Sequence, residues 1–283
     1  MTPPTPPTLP TPPTPPTPPP IPPALVDPPG VWVFDWVIPI AGSLVIALAV
    51  ADSVRRRRPT WGLLFLVNSM AVCWMETVGD WGQDLVYSPA FAVHHLLGWL
   101  PLKTPNDPVF IPFAYAVYWT VHALAILWLG QLLVDRYGWS MLKAIAVLAV
   151  PVNYTWDLLV EGTATAMGWW TYDPGIGPVL TWPSGGKITL LWTVGLMCGW
   201  PNVIAYWAGK PPVRGLNHIE RFCGLGRLTA AGPGAELTVP RWRFELARFG
   251  AWFAVFQVSF FVMLIVPLVG MRLLLGHHSP YAP

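Results

Sequence analysis

Six windows of about 20 apolar residues set the frame for this chain, because a helix needs roughly that length of apolar side chains to cross the hydrocarbon core of a bilayer. They fall near 34–53, 60–79, 109–134, 144–162, 188–208 and 249–272. The pattern predicts an all-α, polytopic membrane bundle of about six transmembrane helices. Composition agrees, since 54% of the residues are hydrophobic and 11% charged, outside the range of an ordinary soluble domain. A net charge of +2, with no basic patch interleaved with aromatics, excludes a nucleic-acid partner. Cys73, Cys198 and Cys223 lie far apart without C-x-x-C spacing and read as small packing residues, neither a disulfide framework nor a zinc site. A shorter apolar piece, residues 90–102, is too short to span and is expected to lie in the interface or re-enter.

The flanks differ from the spans. Residues 1–30 carry Pro at almost every second place with Thr between, a composition that favours polyproline II; they are expected to form a disordered spacer that stays on the protein. The integral membrane domain is placed at 31–275, followed by a short C-terminal tail, 276–283. Lys and Arg accumulate in cytoplasmic loops. Putting the first connection inside leaves thirteen of the sixteen Lys and Arg inside and only Lys103, Lys187 and Arg272 outside. Both termini are then non-cytoplasmic in a multi-pass protein of the cell membrane. Residues 209–248 become a cytoplasmic connector, Arg-anchored to anionic lipid headgroups, and its GLGRL lacks the spacing of a nucleotide fingerprint.

Within this apolar frame, WMETVGDWGQDLVY places Glu76, Asp80 and Asp84 at intervals of four, and VNYTWDLLVEG does the same with Asn153, Asp157 and Glu161. On a helix such positions drift only about 40° per step and share a face. Both stripes run toward the same, non-cytoplasmic end. A carboxylate within the hydrocarbon costs about 2.5–3.5 kcal/mol even on lenient scales, so such groups line interior sites. Cationic partners are few there: Lys187, His94, His95 and His122. The adjacent His94 and His95 point about 100° apart on a helix, so no metal site is expected. Asp84 is also compatible with water beyond the helix end, and Asn153 with interhelical hydrogen bonding. Aromatics accompany both stripes: Trp74, Trp81 and Tyr87 the first, Tyr154, Trp156, Trp169, Trp170 and Tyr172 the second. The eighteen Trp of the chain exceed what interfacial belts need, and aromatic faces steady cationic intermediates. The turn-rich 168–186, with Asp173-Pro174-Gly175, is expected to cap the cavity between the stripes.

The order of these phrases resembles the AveC-like spirocyclases, a family of polytopic membrane proteins: a span leading into DWGQDLVYSPAF, then PNDPVFIPFAYAVYW opening the next, then NYTWDLLVEGTATAMGWWTYDPG, a loop with LTWP, and an Arg-rich connector before a final span. The likeness covers 34–272. It implies formation of a spiroketal from a keto-diol polyketide, without a cofactor. Glu76 and Asp80 would then face Asp157 and Glu161 as general acid and base, with Trp74, Trp81, Asp84, Tyr87, Asn153, Trp156, Trp169, Trp170 and Tyr172 contacting a hydrophobic small-molecule substrate. NSMAVCWMETVGDWGQDLVY is also similar to a segment of small membrane terpene cyclases, which protonate an isoprenoid with a carboxylic acid. The paired acidic phrases resemble those of Mg-dependent membrane prenyltransferases. A transporter, whose stripes conduct protons or bind a cation, is the non-enzymatic reading.

Overall fold

The computed structural model of the protein describes residues 20–173, 177–191, 198–209, 215–229 and 237–282. Five helices are long and apolar enough to cross a membrane: α1 (Val33–Arg55), α2 (Trp61–Gly82), α3 (Ile111–Tyr137), α4 (Met141–Ala166) and, last in the chain, a helix over Arg241–Leu275. Their ends follow local chemistry. Thr60 caps α2 and Ser140 caps α4, each hydroxyl accepting from a backbone N–H three residues on, and Gly138 ends α3 in the left-handed conformation that costs glycine nothing.

The sixth expected window, 188–208, does not form a spanning helix among the described residues. It begins as a strand at Lys187–Thr189, leaves the described residues at 192–197, and resumes as a ten-residue helix, Trp200–Gly209. In chain order the remaining elements are β1 (Leu85–Tyr87), β2 (Trp170–Tyr172), β3 (Val179–Thr181), β4 (Lys187–Thr189), α5 (Trp200–Gly209), α6 (His218–Phe222) and α7 (Arg241–Leu275). α3 is the central post, packed on α1, α2, α4 and α5. The core gathers Phe65 of α2, Trp119 and Ile126 of α3, Trp200 of α5, and Trp252, Phe256 and Phe260 of α7. Outward faces remain apolar, as at Leu48, Val262 and Leu274, as expected where lipid rather than water is the neighbour.

β1 leaves the end of α2 and β2 leaves the end of α4, and they pair antiparallel with Leu85 opposite Tyr172 and Tyr87 opposite Trp170. This small sheet holds the ends of the two acidic stripes at one end of the bundle. The opposite end gathers Arg56, Arg58 and Arg248, and Arg248 donates to the carbonyl of Pro59.

One expectation about the flanks is corrected. Residues 20–30 are packed rather than disordered: Leu25 is buried against Val86 and Ala282, and proline-rich backbone, poor in donors but rich in free carbonyls, accepts from Ser88 at Leu25 and from the Trp169 indole at Pro29. Residues 1–19 lie outside the described residues. The C-terminal stretch is docked as well, with Ser279 donating to Asp173 at 2.9 Å. Within the connector 209–248, residues 217–220 form a capping box between Asn217 and Glu220, Glu220 binds Arg248 at 2.5 Å, and α7 is already helical from Arg241. The piece 90–102 forms turns and a bridge from Val93 to Pro108, with Leu96 and Trp99 exposed.

Helices α2 and α7 meet through glycine. A Cβ at Gly82 would stand 2.9 Å from backbone atoms of Leu268 and Val269, which have no flexible side chain to yield. Gly82→Ala is therefore expected to lower the unfolding temperature in detergent measurably, whereas Gly250→Ala, where a Cβ meets nothing within 4 Å, is expected to leave it unchanged.

Candidate active site

The site is built where the last turns of α2 and α4 meet the start of α3 under the β1–β2 sheet. A cavity of about 320 Å³ is lined by Glu76 from α2, Glu161 from α4, Tyr115 and Tyr118 from α3, Tyr87 and Trp170 from the sheet, and Phe34 and Ile38 from α1. A smaller hollow of about 30 Å³ lies between Glu76, Asp80, Gln83, Glu161 and Tyr172. A third, of about 140 Å³, continues past Glu76 and Asp80 to His94 and Asp107. Glu76 is thus common to all three spaces, and Glu161 and Asp80 to two each.

Neutral donors orient these carboxyls. The Tyr87 hydroxyl donates to Glu76 at 2.9 Å, and Tyr115 lines the same cavity. Glu161 accepts at one oxygen from both the Trp170 indole, 2.6 Å, and the Tyr172 hydroxyl, 2.8 Å. Gln83 donates to Asp80 at 3.1 Å. No ion pair reaches Glu76, Asp80, Asp157 or Glu161 among the described residues. The second oxygens of Glu76, Asp80 and Asp157 are buried without a hydrogen-bond partner, each an acceptor or carried proton that a ligand group could satisfy. Burial pushes the Tyr87 phenol well above its ordinary range, with neighbouring Asp80 and Glu76 adding to it, so it remains a donor across the neutral range.

Sequence reasoning placed four carboxyls in the site, and the structure brings three of them together. Asp157, one turn before Glu161, turns instead to the Tyr118 hydroxyl, which donates to it at 2.6 Å. It is buried and is absent from the lining of the cavities described above. Tyr118→Phe is expected to cost about 1–3 kcal/mol of stability by stripping a buried acceptor of its donor, read as a lower unfolding temperature in detergent.

Asp84 also leaves the stripe. The α2 helix ends at Gly82 and Asp84 takes a left-handed backbone, φ 55°, so the four-residue spacing no longer fixes its direction. It is buried and ion-paired to Arg272 at 3.1 Å, with His277 at 3.8 Å. The readings of Asp84 as a substrate contact or a solvated carboxylate are corrected to a structural ion pair. Burial, opposed by Arg272 and His277, lifts its carboxyl to about 6.

Of the expected substrate contacts, Tyr87, Trp170 and Tyr172 line the cavities, and Trp74 borders the hollow beside Glu76 while donating to Gln257 of α7 at 2.9 Å. The others are engaged elsewhere. Trp81 stacks under the Arg272 guanidinium, 3.9 Å from its ring centre. Trp156 packs against Tyr118 and His122. Trp169 packs on Phe34 and donates to Pro29. Asn153 donates to Ala149 within its own helix, so it does not bridge helices through that group. The loop after α4 supplies a wall through Trp170 and Tyr172; Pro174 and Gly175 of its expected turn lie outside the described residues.

Tyr115, Tyr118, Gln83 and Arg272 were not singled out from sequence as parts of this site. A signal existed for two of them, because Tyr115 and Tyr118 in PFAYAVYW are three residues apart and share a helical face. Arg272 was read only as a topological charge. Among the described residues, no group of three or more His, Cys, Asp or Glu side chains is placed to hold a metal ion. No protein-family model, curated protein or solved structure matches the chain.

Proposed function

We propose that the protein is a membrane-embedded cyclase of the AveC-like spirocyclase kind, closing a keto-diol to a spiroketal by carboxylic general acid and base catalysis. The observation that carries the reading is that Glu76 and Glu161, from two different helices, open onto one cavity whose remaining wall is apolar and aromatic. Each carboxyl is held by phenol or indole donors, and neither is paired with a cation among the described residues. Such a site positions two proton-handling groups around one reacting centre in a water-poor space, where proton transfer contributes about 10²–10⁴-fold.

The bond changes follow. One hydroxyl of the substrate adds to the ketone carbon, the carboxylate taking its proton while the facing carboxylic acid protonates the ketone oxygen, which gives a neutral hemiketal and exchanges the states of the two groups. The newly protonated carboxyl then protonates the hemiketal hydroxyl, which leaves as water and produces an oxocarbenium ion. The second substrate hydroxyl attacks that carbon and gives its proton to the other carboxylate, the original acid, so both groups return to their starting states and the balance is keto-diol to spiroketal plus water. Trp170, Phe34 and Tyr115 line the cavity, where aromatic rings steady a cation. Asp80, buried behind Glu76 and held by Gln83, is the further proton acceptor of the same relay.

The aromatic lining equally supports an isoprenoid cyclase in which a carboxyl protonates an alkene or epoxide. The two readings separate on the product: membranes containing the protein, fed an open-chain keto-diol, are expected to yield a spiroketal. Turnover of an isoprenoid alone would replace the first reading with the second. The arginine-rich end of the bundle is placed at the cytoplasmic face and the site at the opposite face, in line with the distribution of Lys and Arg.

A further inference from the structure

We infer that the cavity at Glu76 and Glu161 opens sideways into the bilayer between α1 and α4, and that its ligand is a membrane-dissolved amphiphile whose apolar tail stays in that opening. The inference rests on the proposed function only for what happens at the oxygenated end. The lining divides by chemistry. Ile38 and Ala41 of α1, Val117 of α3 and Val160 of α4 are apolar; Ala41 is exposed and the other three are half-buried. All four lie inside membrane-spanning segments, so the mouth they form meets hydrocarbon, not water. The polar groups, Glu76, Tyr87, Tyr115, Tyr118 and Glu161, belong to the same cavity.

α1 is suited to border such a mouth. It is the least buried of the five spanning helices, and it is anchored beside the cavity at Gly42, where a Cβ would stand 2.8 Å from that of Phe113. This contact sets α1 directly against α3 beside the cavity. The unpartnered Glu76 Oε2 requires a hydrogen-bonding group on whatever occupies the cavity, which a plain acyl chain does not bring. The space past Glu76 differs: it reaches His94 and Asp107 beneath the loop after β1, outside the spanning segments.

The test uses the full chain in liposomes and two photoactivatable probes, a long-chain diol and the corresponding plain hydrocarbon, each with a diazirine in mid-chain. Mass spectrometry of the labelled protein is expected to place the diol on the segments around Ile38, Ala41 and Val160, above the level at the outward-facing Leu48. Ala41→Trp, or Val160→Trp should the first variant not fold, is expected to reduce that labelling about tenfold. Even labelling of all lipid-facing helices, unaffected by either substitution, overturns the inference. Equal labelling of the opening by both probes overturns the amphiphile and assigns the space to ordinary lipid tails. The readout needs no turnover: labelled openings in membranes that never cyclise a keto-diol sink the function alone, and cyclisation without labelling sinks the opening alone.

Discussion

Glu76→Gln and Glu161→Gln are each expected to lower turnover of a keto-diol by about 10²–10⁴-fold, the usual contribution of a positioned acid or base, while insertion and unfolding temperature stay near wild type. The structural reason lies in the hydrogen bonds. Glu161 serves as acceptor to Trp170 and Tyr172 at one oxygen, and a glutamine carbonyl accepts both bonds in the same place. The same holds for Glu76 and Tyr87. What the amide removes is the ability to give and take a proton, so a loss of rate with retained folding identifies the chemical role. Asp157→Asn should behave differently. Its carboxyl does not line the cavity itself but accepts from Tyr118, which does, and its effect on turnover is expected to be smaller than that of either glutamine variant, measured as initial rates in the same membranes. Equal losses at Asp157 and Glu161 would return Asp157 to the reacting centre.

Arg272→Ala is expected to be the most destabilising single change, about 3–5 kcal/mol, because it leaves a buried carboxylate without its countercharge. Arg272 does more than pair with Asp84 at 3.1 Å. It donates to the carbonyls of Trp81 and Ala282 and lies over the Trp81 ring, tying α7, the end of α2 and the C-terminal stretch together. The cost should depend on pH. The Asp84 carboxyl is lifted from 3.8 to about 6, so between those values the folded chain holds a proton that the unfolded chain has released. That contribution favours folding at low pH and is lost as pH rises through about 6. Below that point Asp84 keeps its proton and needs Arg272 least; above it the carboxylate is charged. The difference in unfolding temperature between wild type and Arg272→Ala is therefore expected to widen from pH 5 to pH 8, and Asp84→Asn in the Arg272→Ala background should recover part of it. A pH-independent difference would show that Arg272 acts only through its packing and carbonyl contacts.

The spacing of four located a shared face where helix continued and failed where it stopped. Glu76, Asp80 and Glu161 were legible because they sit on unbroken turns, and the common end of both stripes was legible from the alternation of spans. Asp84 was misread because a left-handed residue after Gly82 turns it toward α7, and no local signal announces a partner 188 positions later at Arg272. Asp157 lies off the cavity lining because a shared face on one helix says nothing of which neighbour each residue meets; it accepts from Tyr118 of α3 while Glu161 lines the cavity. The proline-rich 20–30 looked unable to fold, but Leu25 needed only one apolar niche, supplied by Val86 and Ala282. The window 188–208 has the apolar content of a span; β3 pairs with its first residues, a pairing across a hairpin that is invisible to a hydropathy window, and 192–197 lie outside the described residues.

The central claim is that Glu76 and Glu161 work on one substrate as a unit. Its most direct test is the rate of spiroketal formation in membranes bearing wild type, Glu76→Gln, Glu161→Gln and the double variant. Groups that act together are not additive, so the double variant is predicted to lose about as much as either single one. Wild-type rates in both single variants, or losses in the double variant equal to the product of the two, would contradict it.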